Sequence, residues 1–222
     1  MAGATNVTKR KPLSRERIVL AGLDLAEDGG LEAVSLHKIA DRLGFKTMSL
    51  YRHVADKDDL LDAMGDAVLA GMSVPDLEGL DWEEALIAMA AAFRGAVVTR
   101  PRSAPLLLTR RINTTASLPM VDAALGGIVA TGLDPAEAVH VLRAFIAFMV
   151  GTLLREVGTA PTYAHEASAP AIVASSQYEL EQSGFPAVAA AAADLALCDH
   201  EAEMRYGLAM LTSALRLTIG SE

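Results

Sequence analysis

The sequence predicts an all-α protein built from a small helix-turn-helix head and a larger helical body. Three observations carry this. Apolar residues make up 52% of the 222 residues while aromatics make up only 5%, so alanine supplies much of the apolar content. Such a composition suits close-packed helices better than sheet. Apolar positions return every three or four residues, and no stretch alternates in the manner of a strand. Between Ser35 and Lys57, two short helical stripes flank a single glycine, Gly44.

Residues 1–12 have no apolar periodicity and read as a flexible basic arm carrying Lys9, Arg10 and Lys11. The head is expected over 13–72. Ser14 is placed to N-cap its first helix, although Arg17 rather than Glu leaves the capping box incomplete. That helix buries Ile18, Ala21, Gly22, Leu25 and Ala26 and is broken by Gly29-Gly30. Leu36, Ile39, Ala40 and Leu43 give the next helix one buried stripe, and Gly44 stands where a helix ends in a left-handed residue, letting Phe45 fold back onto the core. A second short helix, Thr47 to Val54, buries Leu50 and Val54. It leaves Thr47, Met48, Ser49, Tyr51, Arg52 and His53 outside. Asp56 then starts a helix that turns Leu61, Met64, Val68 and Met72 inward.

A short exposed helix bearing hydroxyls, an aromatic ring and cations suits the major groove of DNA, which admits one helix and displays base edges. The net charge of −9 argues against such a partner until its distribution is considered. Residues 1–60 carry ten Lys/Arg and nine Asp/Glu, a balance of +1; residues 61–222 carry nine and nineteen, a balance of −10. All five lysines lie in the first part. A neutral-to-basic head on an acidic body presents the head to phosphate and keeps the body away from it.

Gly44-Phe45-x-x-x-Ser49-Leu50-Tyr51-x-His53-Val54-x-x-Lys57-x-x-Leu60-Leu61, between its flanking helices, resembles the signature of the TetR family of one-component transcriptional regulators. The likeness covers about Leu13 to Met72. It implies a homodimeric repressor on a palindromic operator in double-stranded DNA, released by a small-molecule effector. It further implies that Tyr51, His53 and Lys57 hold backbone phosphates while Lys46, Thr47, Met48, Ser49 and Arg52 face the groove. Leu36, His37 and Lys38, at the start of the supporting helix, would add a base or backbone contact.

The family likeness assigns 73–222 to effector binding and dimerisation. Asp81-Trp82-Glu83-Glu84 is a capping-box-like start for a helix of about Trp82 to Thr99. Pro101, Pro105 and Pro119 punctuate shorter segments, and Asp134-Pro135 opens a helix to about Val157 that is apolar on nearly all sides. A helix of that kind must be covered all round. Beyond it come a helix near Ile172 to Gln182, an alanine run after Pro186 that reads as a buried helix, and a last helix over His200 to Ile219. The last offers Met204, Leu208, Leu211, Leu215 and Ile219, with Gly207, Ser213 and Ala214 permitting close approach; the 135–157 and 200–219 helices would pair two copies.

In the body the likeness is weaker and lies nearest the tetracycline-responsive members, at Asp81-Trp82, Phe93-Arg94, Arg111 and Phe148-x-x-Gly151. Where those repressors place an asparagine and a histidine on the drug, this chain has Met89 and Leu107. Where an acidic side chain helps bind the drug's metal, it has Arg155. A polar chelate would lose hydrogen bonds and metal-linked groups there, so magnesium-tetracycline does not suit the site. The expected cavity is instead apolar, walled by Met89, Phe93, Leu107, Phe145, Phe148 and Met149, with Arg110, Arg111 and Arg155 near its rim.

Catalysis finds no support in the sequence. The five histidines are scattered without metal-ligand spacing, Cys198 has no CxxC partner, and no glycine-rich phosphate loop occurs. The acidic residues Asp56, Asp58, Asp59 and Asp62 read as complements to a helix N-terminus rather than a cation site. No cofactor, metal or membrane partner is expected. The apolar stretch Ala144 to Leu154 is too short for a bilayer, and a single cysteine fits a reducing cytoplasm. An all-α small-molecule-binding or scaffold protein with an unused helix-turn-helix stays open as the alternative.

Overall fold

The computed structural model describes residues 12–109, 115–158 and 170–219, and it is helical throughout with no β-strand among them. The basic arm and Arg110 and Arg111 lie outside the described residues, apart from Pro12. The head comprises α1 (Arg15–Gly29), a single 3-10 turn (Leu31–Ala33), α2 (Leu36–Leu43), α3 (Thr47–Leu50) and α4 (Lys57–Ala70). Ser14, Ser35 and Asp56 N-cap α1, α2 and α4 through their side chains. Ile18, Ala26, Val34, Ile39, Leu50, Leu60 and Met64 fill the core between these helices, each fully buried. Gly44 ends α2 at φ 72° and ψ 36°, and the Phe45 amide reaches back to the Ala40 carbonyl at 2.9 Å. The left-handed residue satisfies the last carbonyls of α2 and turns the chain into α3 within three residues. Regular α-helix stops at Leu50 rather than Val54; Tyr51 to His53 continue as turns.

Asp59 ties three parts of the head together. Its carboxylate accepts from Arg15 Nη2 at 2.5 Å and Nη1 at 3.0 Å, and from the Ala55 amide at 2.7 Å. Arg15 Nη1 also donates to the His53 carbonyl at 2.7 Å. The start of α1, the exit from α3 and the first turn of α4 are thereby held in one arrangement.

The body comprises α5 (Trp82–Thr99), α6 (Ala104–Thr109), α7 (Leu118–Val129), α8 (Pro135–Glu156), α9 (Pro170–Glu181), α10 (Pro186–Ala190), α11 (Ala192–Ala196) and α12 (His200–Ile219). Asp81 and Glu84 form the expected capping box on α5, and Asp134 caps α8. By length and hydropathy α8 could cross a membrane, yet it packs against α5, α6, α7 and α12 with Phe145, Met149 and Leu153 buried, as a central core helix. The ring of Phe148 lies so close to Gly207 of α12 that a Cβ there would come within 2.2 Å of it. Glycine is what lets α12 seat on α8.

Two expectations are corrected here. The alanine run forms two short helices packed on α9, of which only Ala192 and Ala196 are buried. The apolar stripe of α12 (Met204, Leu208 and Leu215) belongs to the protomer's own core, with Leu208 only 1% exposed. The face left outside carries Tyr206, Met210 and Leu217 instead.

Head and body meet along two joints. At the first, α4 packs on α6, with Gly65 lying beside the Leu106 backbone. At the other joint Arg102 donates to the Glu27 and Asp28 carbonyls at the end of α1, at 3.0 and 2.6 Å, where a cation complements the helix dipole. Ser103, wholly buried, donates from both its amide and its hydroxyl to the Glu27 carboxylate.

The Arg15 guanidinium, and next the Ala55 amide, hold the Asp59 carboxyl down at about 2, below the ordinary 3.8. A depressed carboxylate stabilises the folded state fully above its unfolded value and loses that contribution as pH falls through the folded one. Asp59→Asn is therefore expected to cost about 1–2 kcal/mol at neutral pH, after discounting for partial exposure. It should also flatten the acid limb of a stability profile between roughly pH 4 and 2. Chemical denaturation of both proteins across that range checks this.

Candidate nucleic-acid interface and effector cavity

The outer surface of α2 and α3 forms one continuous polar face. Met48 is 75% exposed and Tyr51 48%; Lys46, Arg52 and Lys57 are also exposed, while Thr47, Ser49 and His53 are half-buried between them. His37 and Lys38 add to this face from the first turn of α2. The His37 Nδ1 lies 3.4 Å from the Thr47 hydroxyl, which ties the supporting helix to the start of α3, and its Nε2 lies 3.4 Å from Asp41. Leu36 is the exception among the expected DNA contacts. Its side chain is buried in the head core, so it positions α2 rather than reaching outward.

Lys57 stands at the first position of α4, immediately after its cap Asp56. The Arg15–Asp59 clamp described above fixes that turn relative to the end of α3. Lysine at this point therefore projects from a rigid corner beside Tyr51 and Arg52 in sequence and fold. Arg17, 5.9 Å from the centre of the Phe45 ring, covers the turn from behind.

A cavity of about 180 Å³ opens within the body where α4, α5, α6, α7 and α8 converge. From α5 come Leu86, Met89, Ala90 and Phe93; from α6, Leu106 and Leu107; from α7, Met120, Val121 and Ala124. The long helix α8 supplies Leu142, Phe145, Ile146, Met149 and Val150, and α4 supplies Asp62, Gly65, Asp66 and Leu69. The structure thus brings together five of the expected residues: Met89, Phe93, Leu107, Phe145 and Met149. Phe148 is not among the lining, because one helical step turns its ring onto Gly207. Arg155, half-buried further along α8, does not line the cavity either, and Arg110 and Arg111 lie outside the described residues.

The α4 residues and those of α7 were not foreseen. Leu142, Ile146 and Val150 share the helical face of Phe145 and Met149, so their spacing carried a usable signal. Asp62 and Asp66 carried none: the helix was expected to reach the body through Met72, and a polar residue midway along it does not read as part of an apolar wall.

Two other polar clusters brace the walls without entering the cavity. Arg94 donates to Glu156 at 2.6 and 3.0 Å and to Glu201 at 3.3 Å, joining α5, α8 and α12. Glu83 accepts from the buried Thr212 hydroxyl at 2.7 Å and from Arg216. Cys198 lies 3.5 Å from His200 Nδ1, yet burial and then the Glu203 carboxylate push its thiol up, the opposite of an activated nucleophile. Among the described residues, no group of three or more His, Cys, Asp or Glu is arranged to hold a metal ion.

Comparison with known proteins agrees with this arrangement. Residues 18–64 match the family model described as bacterial regulatory proteins, tetR family, and residues 74–219 match that of the tetracyclin repressor-like C-terminal domain. An HTH-type transcriptional regulator of Saccharopolyspora erythraea is 31% identical over 150 residues, covering 67% of this chain and 64% of the relative. The class A tetracycline repressor from transposon 1721 in Escherichia coli is 32% identical over 153 residues, 68% of each chain. The matched stretch therefore spans about two thirds of the length of these relatives. In fold, the chain is similar to the Streptomyces coelicolor TetR family protein ActR in complex with actinorhodin, with a TM-score of 0.82, 23% identity, and 94% and 99% of the two chains covered. By these two family models, which together take in both head and body, the chain belongs to the TetR family of bacterial regulatory proteins.

Proposed function

We propose that the protein is a homodimeric transcriptional repressor, acting in the cytoplasm, that leaves a palindromic operator when a small and largely apolar molecule enters the cavity. The observation that carries this reading is the double role of α4. Its first turn presents Lys57 beside the exposed face of α3, and its later turns line the cavity through Asp62, Gly65, Asp66 and Leu69. A molecule filling the cavity touches the helix that positions the DNA-reading corner. A scaffold protein with an idle helix-turn-helix would have no need for that continuity. No enzymatic role is assigned.

Tyr51, His53 and Lys57 take backbone phosphates; Lys46, Thr47, Met48, Ser49 and Arg52 read the groove, with His37 and Lys38 at its edge. The dimer forms through the outer faces of α8 and α12. Ala144, Ala147 and Gly151 leave α8 flat and exposed, and Tyr206, Met210 and Leu217 stand out from α12. Together they form an apolar surface that two-fold symmetry would cover. Release requires the ligand to prefer the arrangement that does not fit DNA, and a hundredfold weakening needs about 2.7 kcal/mol of differential affinity.

Binding to the DNA upstream of the protein's own gene, measured over a salt series, tests the assignment. Lys57→Ala is expected to weaken binding to every sequence and to flatten the log K against log salt slope by about 1 for each half-site. Arg52→Ala should relax preference at one base position instead. Unchanged binding by both variants contradicts the assigned surface.

The dimer has its own check. Met210→Glu with Leu217→Glu places carboxylates where the second copy would cover them, at positions the protomer leaves exposed. Sedimentation is expected to give a folded monomer for the variant and a dimer for the parent protein. A dimer that survives both charges contradicts this choice of face.

A further inference from the structure

Met48 is the most exposed large apolar side chain among the described residues, at 75%. It stands at the second position of α3, between Thr47 and Ser49, and Lys46, Tyr51 and Arg52 are exposed beside it in sequence. Each of the other outward side chains assigned to the DNA face carries a hydroxyl, an amine, a guanidinium or an imidazole. Met48 carries a thioether, which donates no hydrogen bond and accepts only weakly. An apolar chain held in water at the centre of a polar reading surface needs a reason.

We infer that Met48 is a specificity-determining residue that reads thymine, packing on the C5-methyl of one thymine in each half-site. This deepens the DNA-binding reading above and rests on it. Phosphates offer a thioether chain nothing, and among the major-groove edges of the four bases only thymine presents an apolar group. The first residues of a recognition helix are the ones that reach base edges, and Met48 is one of them. A protein partner fits the position poorly. Specific protein interfaces bury on the order of 800 Å² a side around an apolar core, whereas Met48 is a single apolar chain among cations and hydroxyls. One methyl is the partner its size and setting match.

The surroundings favour Met48 over its neighbours for this task. Thr47, which also bears a methyl, is half-buried, and its hydroxyl lies 3.4 Å from His37 Nδ1, tying it to α2. Leu50 is fully buried and seats α3 on the head core. Met48 is thus presented by an anchored helix, while its unbranched chain turns about three bonds and can meet a methyl without moving the backbone. Its surface leaves water only when DNA covers it, so the gain belongs wholly to the bound state.

Uracil differs from thymine only in lacking that methyl, which gives a direct test. The full-length protein selects its operator from random duplexes, and each thymine in the selected fragment is then replaced by deoxyuridine, one symmetric pair at a time. At one pair the replacement is expected to weaken binding about fourfold for each half-site, or about fifteenfold for the two together. Met48→Ala should lose a similar factor on the thymine operator and bind the thymine and uracil versions of that pair equally, as two coupled groups do in a double-substitution cycle. Because the side chain is exposed, this variant is expected to melt with the parent protein. Uracil tolerated at every position by the unmodified protein overturns the inference while leaving the DNA-reading face in place. A uracil effect of undiminished size in Met48→Ala overturns it as well, since another side chain would then meet the methyl. Should the protein select no sequence at all, the DNA-binding reading falls and the inference with it.

Discussion

The helix that both lines the cavity and begins beside the exposed face of α3 is α4, fourteen residues and about 20 Å long. Its N-terminal turn is fixed by Asp56 and by the Arg15–Asp59 clamp, and its C-terminal half packs on α6, with Gly65 beside the Leu106 backbone. A helix of this length transmits displacement as a rigid rod. A shift of its body end is therefore felt at Lys57 unless the clamp around Asp59 yields. The clamp has reason not to yield: three donors converge on one carboxylate, two of them from a guanidinium in fork geometry.

The second joint shapes what kind of motion is available. Arg102 and Ser103 hook the loop between α5 and α6 onto the end of α1 through four hydrogen bonds. With α1 held there and α4 held at α6, the head is attached to the body at two separated places. Sliding α4 past α6 while the α1 hook stays closed would rotate the head rather than merely translate it. Rotation matters more for a dimer on DNA, because two recognition faces must keep the spacing of successive major grooves. The cavity walls suit such a change. Met89, Met120 and Met149 are unbranched and repack easily, whereas the wall behind them is fixed by the Arg94–Glu156 pair.

Legibility in the sequence followed the strength of local chemistry. The head was readable almost residue by residue because its signals are local: Ser14, Ser35 and Asp56 at caps, Gly44 at a left-handed turn, and apolar stripes at helical spacing. The starts of α5 and α8 were equally plain from Asp81 and Asp134. What failed was orientation. A stripe on α12 that is apolar on one side and mixed on the other does not say which side meets the protomer's own core, and the structure assigns Leu208 inward and Met210 outward. Phe148 was misplaced for a related reason, since on a helix that is apolar all round one step of about 100° separates the cavity from Gly207. Asp62 reads in the sequence as a complement to the N-terminus of α4; that it also borders the cavity depends on where α5 to α8 lie, which no local signal gives. Local signals mark the elements; the site is made where distant ones meet.

Reciprocal linkage between the two sites tests the account at its centre. The affinity for an operator fragment would be measured with the cavity empty and with it saturated by a neutral apolar probe such as 2-(1-naphthyl)ethanol, and the affinity for that probe would be measured with and without the fragment. If α4 couples the sites, both affinities fall, and by the same factor, as linkage requires. A ligand that saturates the cavity while leaving the operator affinity unchanged would show that α4 carries no message, and the account would fail there.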